Sequence, residues 1–207
     1  MRLALVATAQ GPRVAIELAE GFAVTATTSL QDVIAAGPRE LVRLAENVER
    51  EVRAADVRLL APIPSPGKVI CAGVNYRSHL DENPNARLPH RPYFFAKLPS
   101  SVIGPNDAIV KPTPTTELDP EVELAVVVGR RARALTRADA LGSVFGYTIL
   151  NDVSARDWQF ASDGQMMLGK GIDTFCPIGP VVVTADELTD PSALTLSTSV
   201  NGEIGHA

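Results

Sequence analysis

The chain has 207 residues, 45% of them hydrophobic and 21% charged, enough for one soluble domain of ordinary size with a small appendage. Its formal net charge of -5 at pH 7 excludes the basic surface that releases counterions from a phosphate backbone, so nucleic acid is not an expected partner. No apolar run approaches the roughly 20 residues of a membrane span, and the first residues do not form a signal peptide. We therefore expect a cytoplasmic protein with a small-molecule ligand and no membrane partner.

Residues 1–60 predict a small α/β module. Residues 3–9 and 14–19 are β-like runs separated by Q-G-P-R, which indicates a hairpin. Apolar residues then recur at helical spacing from 30 to 52, with an interruption at Gly37-Pro38, and this pattern predicts two helices.

The segment 61–67, A-P-I-P-S-P-G, places three prolines in seven residues and predicts an extended linker. From Lys68 onward short β runs alternate with turns: K-V-I-C-A-G, P-Y-F-F-A-K, D-A-I-V-K-P, E-V-E-L-A-V-V-V-G, V-F-G-Y-T-I-L-N-D, G-P-V-V-V-T and A-L-T-L-S-T-S-V. Helical character is confined to about 136–142 and 154–160. Residues 68–207 are therefore predicted to form a second domain, a barrel, roll or sandwich, and the fold class is α+β, mostly β.

The C-terminal residues predict an open sheet edge. Apolar residues alternate along 194–200, and Asn201-Gly202 is a strong two-residue hairpin turn. Only five residues follow that turn, so the returning strand is too short to cover its partner. We expect the domain to lack its closing strands, either as a fragment or as a natural truncation.

Two glutamates stand at the head of an otherwise apolar strand in D-P-E-V-E-L-A-V-V-V-G-R, residues 119–130. Glu121 and Glu123 share one face of the strand, roughly 6 to 7 Å apart, and Asp119 has the same parity. They either bind a hard divalent ion or face water on a half-exposed edge strand. Asp152 follows another β run and precedes a predicted helix, so it is either a third ligand or a helix N-cap.

A histidine and two lysines are further candidates. His79 and Glu82, three residues apart, share a face on a helical turn, where the carboxylate would orient the imidazole as a general base. The alternative is an exposed histidine on a polar loop. Lys97 and Lys170 each end an apolar stretch and offer a compact charge to a carboxylate or an enolate, unless they are surface lysines at turns.

Several common motifs are missing. The run G-Q-M-M-L-G-K-G lacks the Ser or Thr that completes a phosphate loop, and no G-x-S-x-G, H-E-x-x-H or G-x-G-x-x-G occurs. Cys71 and Cys176 have no zinc-like spacing and are expected to be buried, inert thiols.

Taken together, the chain from about Lys68 resembles the fumarylacetoacetate hydrolase family. The resemblance is to its small bacterial and mitochondrial members with acylpyruvase, oxaloacetate decarboxylase or diene-dioate isomerase activity. It rests on six motifs in order: G-V-N-Y-R-S-H-L-D-E, P-Y-F-F-A-K, L-D-P-E-V-E-L-A-V-V-V-G-R, N-D-V-S-A-R-D-W-Q, L-G-K-G-I-D-T-F-C-P-I-G-P and V-N-G-E. Members of the family continue past V-N-G-E with closing strands.

The resemblance implies a mixed β-roll, a homodimer and an enzyme that cleaves a C–C bond in a 2-oxo (2,4-dioxo) acid through a metal-stabilised enolate. Isomerisation or decarboxylation on the same site, or a non-catalytic binding relative, are the alternatives. The implied metal is Mg²⁺ or Mn²⁺, with Ca²⁺ possible, and its ligands are Glu121, Glu123 and Asp152. The implied catalytic residues are His79, Glu82 and Lys170. The implied substrate-binding residues are Tyr76, Arg77, Lys97, Arg156 and Gln159.

Overall fold

A computed structural model describes residues 1–76, 89–161 and 163–206. Its longer strands are β1 (Arg2–Thr8), β2 (Gly11–Leu18), β3 (Gly21–Thr25), β4 (Val48–Arg53), β6 (Val69–Gly73), β7 (Tyr93–Lys97), β10 (Val122–Val128), β11 (Val144–Asn151) and β13 (Cys176–Thr184). Shorter strands are β5 (Leu59–Leu60), β8 (Val102–Ile103), β9 (Leu118–Asp119), β12 (Ser154–Ala155), β14 (Thr198–Val200) and β15 (Glu203–His206). The α-helices are α1 (Leu30–Ala36), α2 (Pro38–Glu46), α3 (Arg137–Ala140), α4 (Arg156–Ala161) and α5 (Met166–Lys170).

One nine-stranded sheet dominates the molecule and confirms the mostly-β, α+β class. Its strands run in the order β10-β11-β13-β1-β2-β3-β4, with β5 against β1 and β8 against β13. Strands from both sides of the proline-rich segment 61–67 therefore share this sheet, through the antiparallel pairing of β1 with β13. The division of the chain into two domains at 61–67 stays a prediction.

Strand β1 lies at the centre of this sheet and is buried on both faces. Leu3 and Leu5 pack with helix residues such as Leu30 and Leu44 on one face. Ala4 and Val6 lie in a second apolar cluster on the other face. Each fully buried aliphatic side chain contributes about 1.5 to 3 kcal/mol to stability, so β1 ties the helices to the sheet.

The predicted N-terminal hairpin and the two helices are confirmed. The Ser29 side chain accepts a hydrogen bond from the N–H of Asp32 at 3.1 Å and caps α1. Gly37, at φ 84°, separates the helices, and Pro38 starts α2 in the position where its missing N–H costs nothing.

The predicted extension of the second helix to residue 52 is wrong. Helix α2 ends at Glu46, and residues 48–53 form β4, which pairs with β3. Val48 and Val52 fit a period of two in V-E-R-E-V-R as well as they fit helical spacing, and Val52 packs against the cluster that contains Phe22. The tertiary pairing with β3 decides the conformation.

Two predicted strands are corrected in the C-terminal half. Residues 107–112 are not a strand, and the N–H of Val110 donates to Thr174 Oγ1 at 2.8 Å instead of to a neighbouring strand. In the run 193–200 only Thr198–Val200 pair with another strand, as β14. A 3₁₀ turn at Pro191–Ala193 occupies the start of the predicted strand. The turn at Asn201-Gly202 is confirmed, with φ values of 54° and 87°.

Helix α5 was not predicted; it is short, and its sequence M-M-L-G-K carries only a weak helical pattern. Among the described residues no helix has the length and apolarity needed to cross a membrane.

Candidate active site

Antiparallel pairing brings two of the predicted carboxylates together. Val122, at the head of β10, lies opposite Asn151, at the end of β11. Glu121 immediately precedes β10 and Asp152 immediately follows β11, and the Asp152 N–H donates to the Glu121 carbonyl oxygen at 2.8 Å. The two side chains therefore enter the same region although 30 residues separate them in the sequence.

Lys97, the last residue of β7, ends beside Asp152. Its Nζ lies 2.5 Å from Asp152 Oδ1 and 3.1 Å from the carbonyl oxygen of Val153. The two charged side chains are 0% and 1% exposed. The surface-lysine alternative is wrong for Lys97, because this ammonium is buried and needs its acidic partner.

Lys170, the last residue of α5, is buried as well. Its Nζ lies 2.5 Å from Glu121 Oε2 and 2.8 Å from Asp152 Oδ2. The helix approaches β12 closely at Gly169, where an added Cβ would lie 2.8 Å from the Ala155 carbonyl oxygen. Lys170 therefore bridges two predicted metal ligands and is not a surface lysine.

Arg156 forms the outer part of this network. Its Nη2 lies 2.6 Å from Asp119 Oδ2 and also contacts Glu121, and its Nη1 donates to Gln159 Oε1 at 2.9 Å. Asp119 was absent from the predicted site residues. Its parity with Glu121 was the available signal, but the sequence does not show that Arg156 would face it.

Asp152 is not a helix cap. Helix α4 begins at Arg156, and β12 lies between that helix and Asp152. Both Asp152 carboxylate oxygens accept hydrogen bonds from lysines instead.

Glu121, just before β10, and Glu123, within β10, lie in opposite electrostatic environments. Burial opposes ionisation of Glu121, but Lys170 and Arg156 outweigh it and lower the pKa from 4.5 to about 2. Burial, together with repulsion from Asp152 and Glu121, raises the pKa of Glu123 from 4.5 to about 7. One glutamate is therefore firmly ionised, and its neighbour changes charge near neutral pH.

Tyr76 is held against the outer strand. Its hydroxyl oxygen accepts a hydrogen bond from the N–H of Leu124 at 3.3 Å, and burial raises the pKa of the phenol. Val74, two residues earlier, has φ 52°, a strained conformation for a β-branched residue. The predicted residues Arg77, His79 and Glu82 lie outside the residues that the structure describes.

Whether a divalent ion fits this site depends on the chemistry and the arrangement of its carboxylate side chains. Within the described ranges, no group of three or more His, Cys, Asp or Glu side chains is arranged to hold a metal ion. Glu121 and Asp152 are turned toward lysines, whereas the side chain of Glu123 makes no hydrogen bond or ion pair with another described residue. The three carboxylates nevertheless lie near enough to repel each other, and they supply the oxygen donors that Mg²⁺, Mn²⁺ and Ca²⁺ prefer. The donor atoms therefore fit such an ion in kind, whereas in this structure Lys97 and Lys170 make the contacts with Glu121 and Asp152.

Cys71 and Cys176 are free and buried, as expected. Burial raises their thiol pKa values to about 12 and about 11 respectively. Both thiols therefore stay protonated at neutral pH and are poor nucleophiles.

Comparison with known proteins places this site in a family. Residues 68–206 match the model described as fumarylacetoacetate (FAA) hydrolase C-terminal. A mitochondrial oxaloacetate tautomerase of Rattus norvegicus is 47% identical over 150 residues, which are 72% of this chain and 48% of the relative. This chain spans about half the length of the mitochondrial relatives from rat and cattle that it matches.

Solved structures agree over nearly the whole chain. A fumarylacetoacetate hydrolase from Exiguobacterium antarcticum is 39% identical, with a TM-score of 0.83 over 99% of this chain and 73% of that one. A 5-carboxymethyl-2-hydroxymuconate delta-isomerase from Mycobacterium smegmatis is 38% identical, with a TM-score of 0.79 over 99% of this chain and 74% of that one.

Proposed function

The chain belongs to the fumarylacetoacetate hydrolase family, and from this premise we propose that it is an enzyme acting on 2-oxo acids through an enolate. We propose keto–enol tautomerisation of oxaloacetate as the reaction. Its main support in the structure is the pair of buried ammonium groups, Lys97 and Lys170, held among carboxylates. The name of the rat relative, an oxaloacetate tautomerase, favours this substrate.

The charges at the site favour an anionic substrate once a divalent ion is bound. Four carboxylates face three cations, so the metal-free site carries one net negative charge when all of them are ionised; the members are Asp119, Glu121, Glu123, Asp152, Lys97, Lys170 and Arg156. A divalent ion changes this to one net positive charge. A dicarboxylate substrate would then be attracted instead of repelled.

Glu121, Glu123 and Asp152 would hold this ion, with Mg²⁺ as our first choice and Mn²⁺ or Ca²⁺ as alternatives. When bound, it supplies Lewis-acid polarisation of the substrate's 2-oxo group. Lys170 would donate a hydrogen bond to the oxygen on which charge develops, and a near-buried ammonium stabilises that charge more strongly than water does. The chain's own cations thus favour the enolate over the ketone.

Arg156 and Gln159 would bind a substrate carboxylate. The guanidinium is held by Asp119 and by the Gln159 side chain, which fixes its plane before substrate arrives. The proton that leaves the carbon beside the 2-oxo group needs a base, and we assign this role to His79, oriented by Glu82, from their spacing in the sequence.

Hydrolysis of a C–C bond in a 2,4-dioxo acid is the second candidate. It needs the same enolate stabilisation and, in addition, a water molecule activated by a base, and the sequence spacing of His79 and Glu82 favours it. Decarboxylation of oxaloacetate also passes through the same enolate. These reactions differ in which bond breaks, whereas the cations required are the same.

A direct assay tests the proposal. The purified chain, loaded with Mg²⁺, is mixed with the enol of oxaloacetate, and the ultraviolet absorbance of the enol is followed against a protein-free control. We expect catalysis that chelator abolishes and Mg²⁺ restores, strong loss of rate in Lys170→Met, and no loss in Lys68→Met, which changes an exposed lysine. A folded, metal-loaded protein that accelerates neither this reaction nor decarboxylation nor acylpyruvate cleavage would favour the non-catalytic alternative.

We also propose that the protein is a cytoplasmic homodimer. Strand β10 ends the described sheet and presents Val126 and Val128, which are 53% and 63% exposed. An open edge with apolar side chains is a common pairing surface. Light scattering during size-exclusion chromatography tests the oligomeric state.

A further inference from the structure

Lys170 occupies the place between two predicted metal ligands. Its ammonium contacts Glu121 on one side and Asp152 on the other, and its side chain is only 4% exposed. The buried carboxylate of Asp152 and the half-buried one of Glu121 need a cation, because an unpaired buried charge costs several kcal/mol. In the metal-free protein the Lys170 ammonium therefore pairs with both carboxylates, as a bridging ion would.

Phe95 offers the same ammonium a second contact. Lys170 Nζ lies 5.1 Å from the centroid of the Phe95 ring, within the range of a cation–π interaction. Phe95 belongs to β7 and, two residues before Lys97, has the same parity as that lysine. One strand therefore carries an aromatic face for Lys170 and the cation that pairs with Asp152.

The two lysines differ in how firmly they are held. Lys97 donates to the Val153 carbonyl oxygen as well as to Asp152 Oδ1, and it is fully buried. Lys170 has only carboxylates among its hydrogen-bond partners in the described chain, and its contact with Asp152 uses the other oxygen, Oδ2. Binding of an ion to Glu121 and Asp152 would thus displace Lys170 more readily than Lys97.

We propose that Lys170 is a built-in counter-cation that competes with the divalent ion for Glu121 and Asp152, and that Phe95 is a positioning residue that holds the ammonium in this competing position. The proposal rests on the proposed function, since it assumes that these carboxylates bind a metal. Metal binding then costs the breaking of two ion pairs, and it delivers an unpaired ammonium to the site. Metal loading and readiness for an anionic substrate become one linked event.

Calorimetric titration with MgCl₂ of protein freed of metal by chelator tests the competition. Lys170→Met removes the competitor, so it should bind Mg²⁺ more tightly by roughly fivefold or more. Removing any positive charge near the site should tighten Mg²⁺ binding to some extent. Phe95→Leu is therefore the decisive second variant, because it changes no charge. It should bind Mg²⁺ more tightly, by about twofold or more, because the competing ammonium loses the aromatic contact that it makes while it is paired with the carboxylates. Circular dichroism and thermal unfolding show that each variant is folded.

The chain's four lysines allow a direct observation of the displacement. They are Lys68, Lys97, Lys111 and Lys170, so lysine labelled with ¹³C at Cε gives few signals, and Lys170→Met assigns one of them. On saturation with Mg²⁺ the Lys170 signal should move through its changed position over the Phe95 ring. The exposed Lys68 and Lys111 should not shift.

The outcomes separate this proposal from the proposed function. Tighter Mg²⁺ binding by both variants, with a shifted Lys170 signal, would support it. Unchanged affinity in Phe95→Leu would overturn the role of Phe95. Metal binding with an unmoved Lys170 signal, or with equal or weaker affinity in Lys170→Met, would overturn the competition and leave the metal site intact. A folded wild-type protein that binds neither Mg²⁺ nor Mn²⁺ would overturn the metal site and the competition together.

Discussion

Lys97 and Asp152 form an ion pair from which water is excluded, with Nζ and Oδ1 2.5 Å apart and exposures of 0% and 1%. Replacing one member of such a pair leaves a buried charge with fewer partners. Lys97→Met should lower the free energy of unfolding by about 3 kcal/mol. Urea unfolding measures this, and Lys68→Met, at an exposed lysine, is the matched control with no large effect expected. Equal losses in the two variants would contradict a stabilising role for the pair.

The stability of the metal-free protein should depend on Glu123 in a defined pH window. Its pKa is about 7 in the folded protein and 4.5 as the reference for the unfolded chain. Because the folded value is the higher one, Glu123 holds its proton in the folded state and loses it in the unfolded chain between pH 4.5 and about 7. The free energy of unfolding therefore falls as the pH rises through this window and up to about 7. Above that pH the ionised carboxylate is held beside Asp152 and Glu121.

Glu123→Gln should therefore stabilise the metal-free protein at about pH 8 and have no effect at about pH 4.5. The expected gain is about 1 to 2 kcal/mol, less than the full linkage of the shift because the carboxyl is only half-buried and partly screened. Urea unfolding in chelator at the two pH values measures it, with the exposed Glu49→Gln as the control. A gain of the same size at both pH values would show that repulsion among the carboxylates is not its cause.

Asp119 is expected to act on substrate binding through Arg156. Asp119→Asn removes the charge that holds Nε and Nη2, at 2.8 and 2.6 Å, and leaves the guanidinium free to turn fully toward Glu121. We expect KM for oxaloacetate to rise by about tenfold, the loss of one charged hydrogen bond, with a smaller change in kcat. The exposed Glu117→Gln, in the same segment, is the control. A fall in kcat at constant KM would argue against a role in substrate binding.

Gly146→Ala tests how closely two strands of the catalytic half approach. An added Cβ at Gly146 would lie 2.2 Å from the backbone oxygen of Val183, so β11 and β13 would have to separate. We expect a loss of about 3 kcal/mol in stability and, because β11 leads to Asp152, weaker Mg²⁺ binding. The matched control is Gly67→Ala, where nothing lies within 4 Å of the added atom. Unchanged thermal unfolding would show that the sheet tolerates the separation.

The sequence predicts most of the elements that hold the site, and the reason is local. Glu123 and the run of apolar residues around it predict β10 from strand geometry alone, and Glu121 immediately precedes that strand. The turn at Asn201-Gly202 likewise follows from residues that favour positive φ. In such cases the deciding interactions lie within a few residues of each other.

Features that depend on distant partners were missed or misassigned. The conformation of residues 48–53 is decided by pairing with β3, and the role of Asp119 by Arg156, 37 residues away. Lys97 and Lys170 were recognised as candidates, but nothing in their spacing showed that both would contact Asp152. The sequence shows which charged residues are candidates for the site, whereas the fold decides which of them form ion pairs.

The pairing of β1 with β13 has a consequence for how the chain is made. Arg2 lies opposite Val183, so β1 cannot pair with this neighbour until residue 183 has left the ribosome. Strands β1 to β5 can pair in the meantime, which leaves the edge of β1 at Arg2 and Leu3 exposed to other nascent chains. Contacts of such large sequence separation slow folding. We therefore expect yields of folded protein to depend on the rate of synthesis and on chaperones that shield this edge.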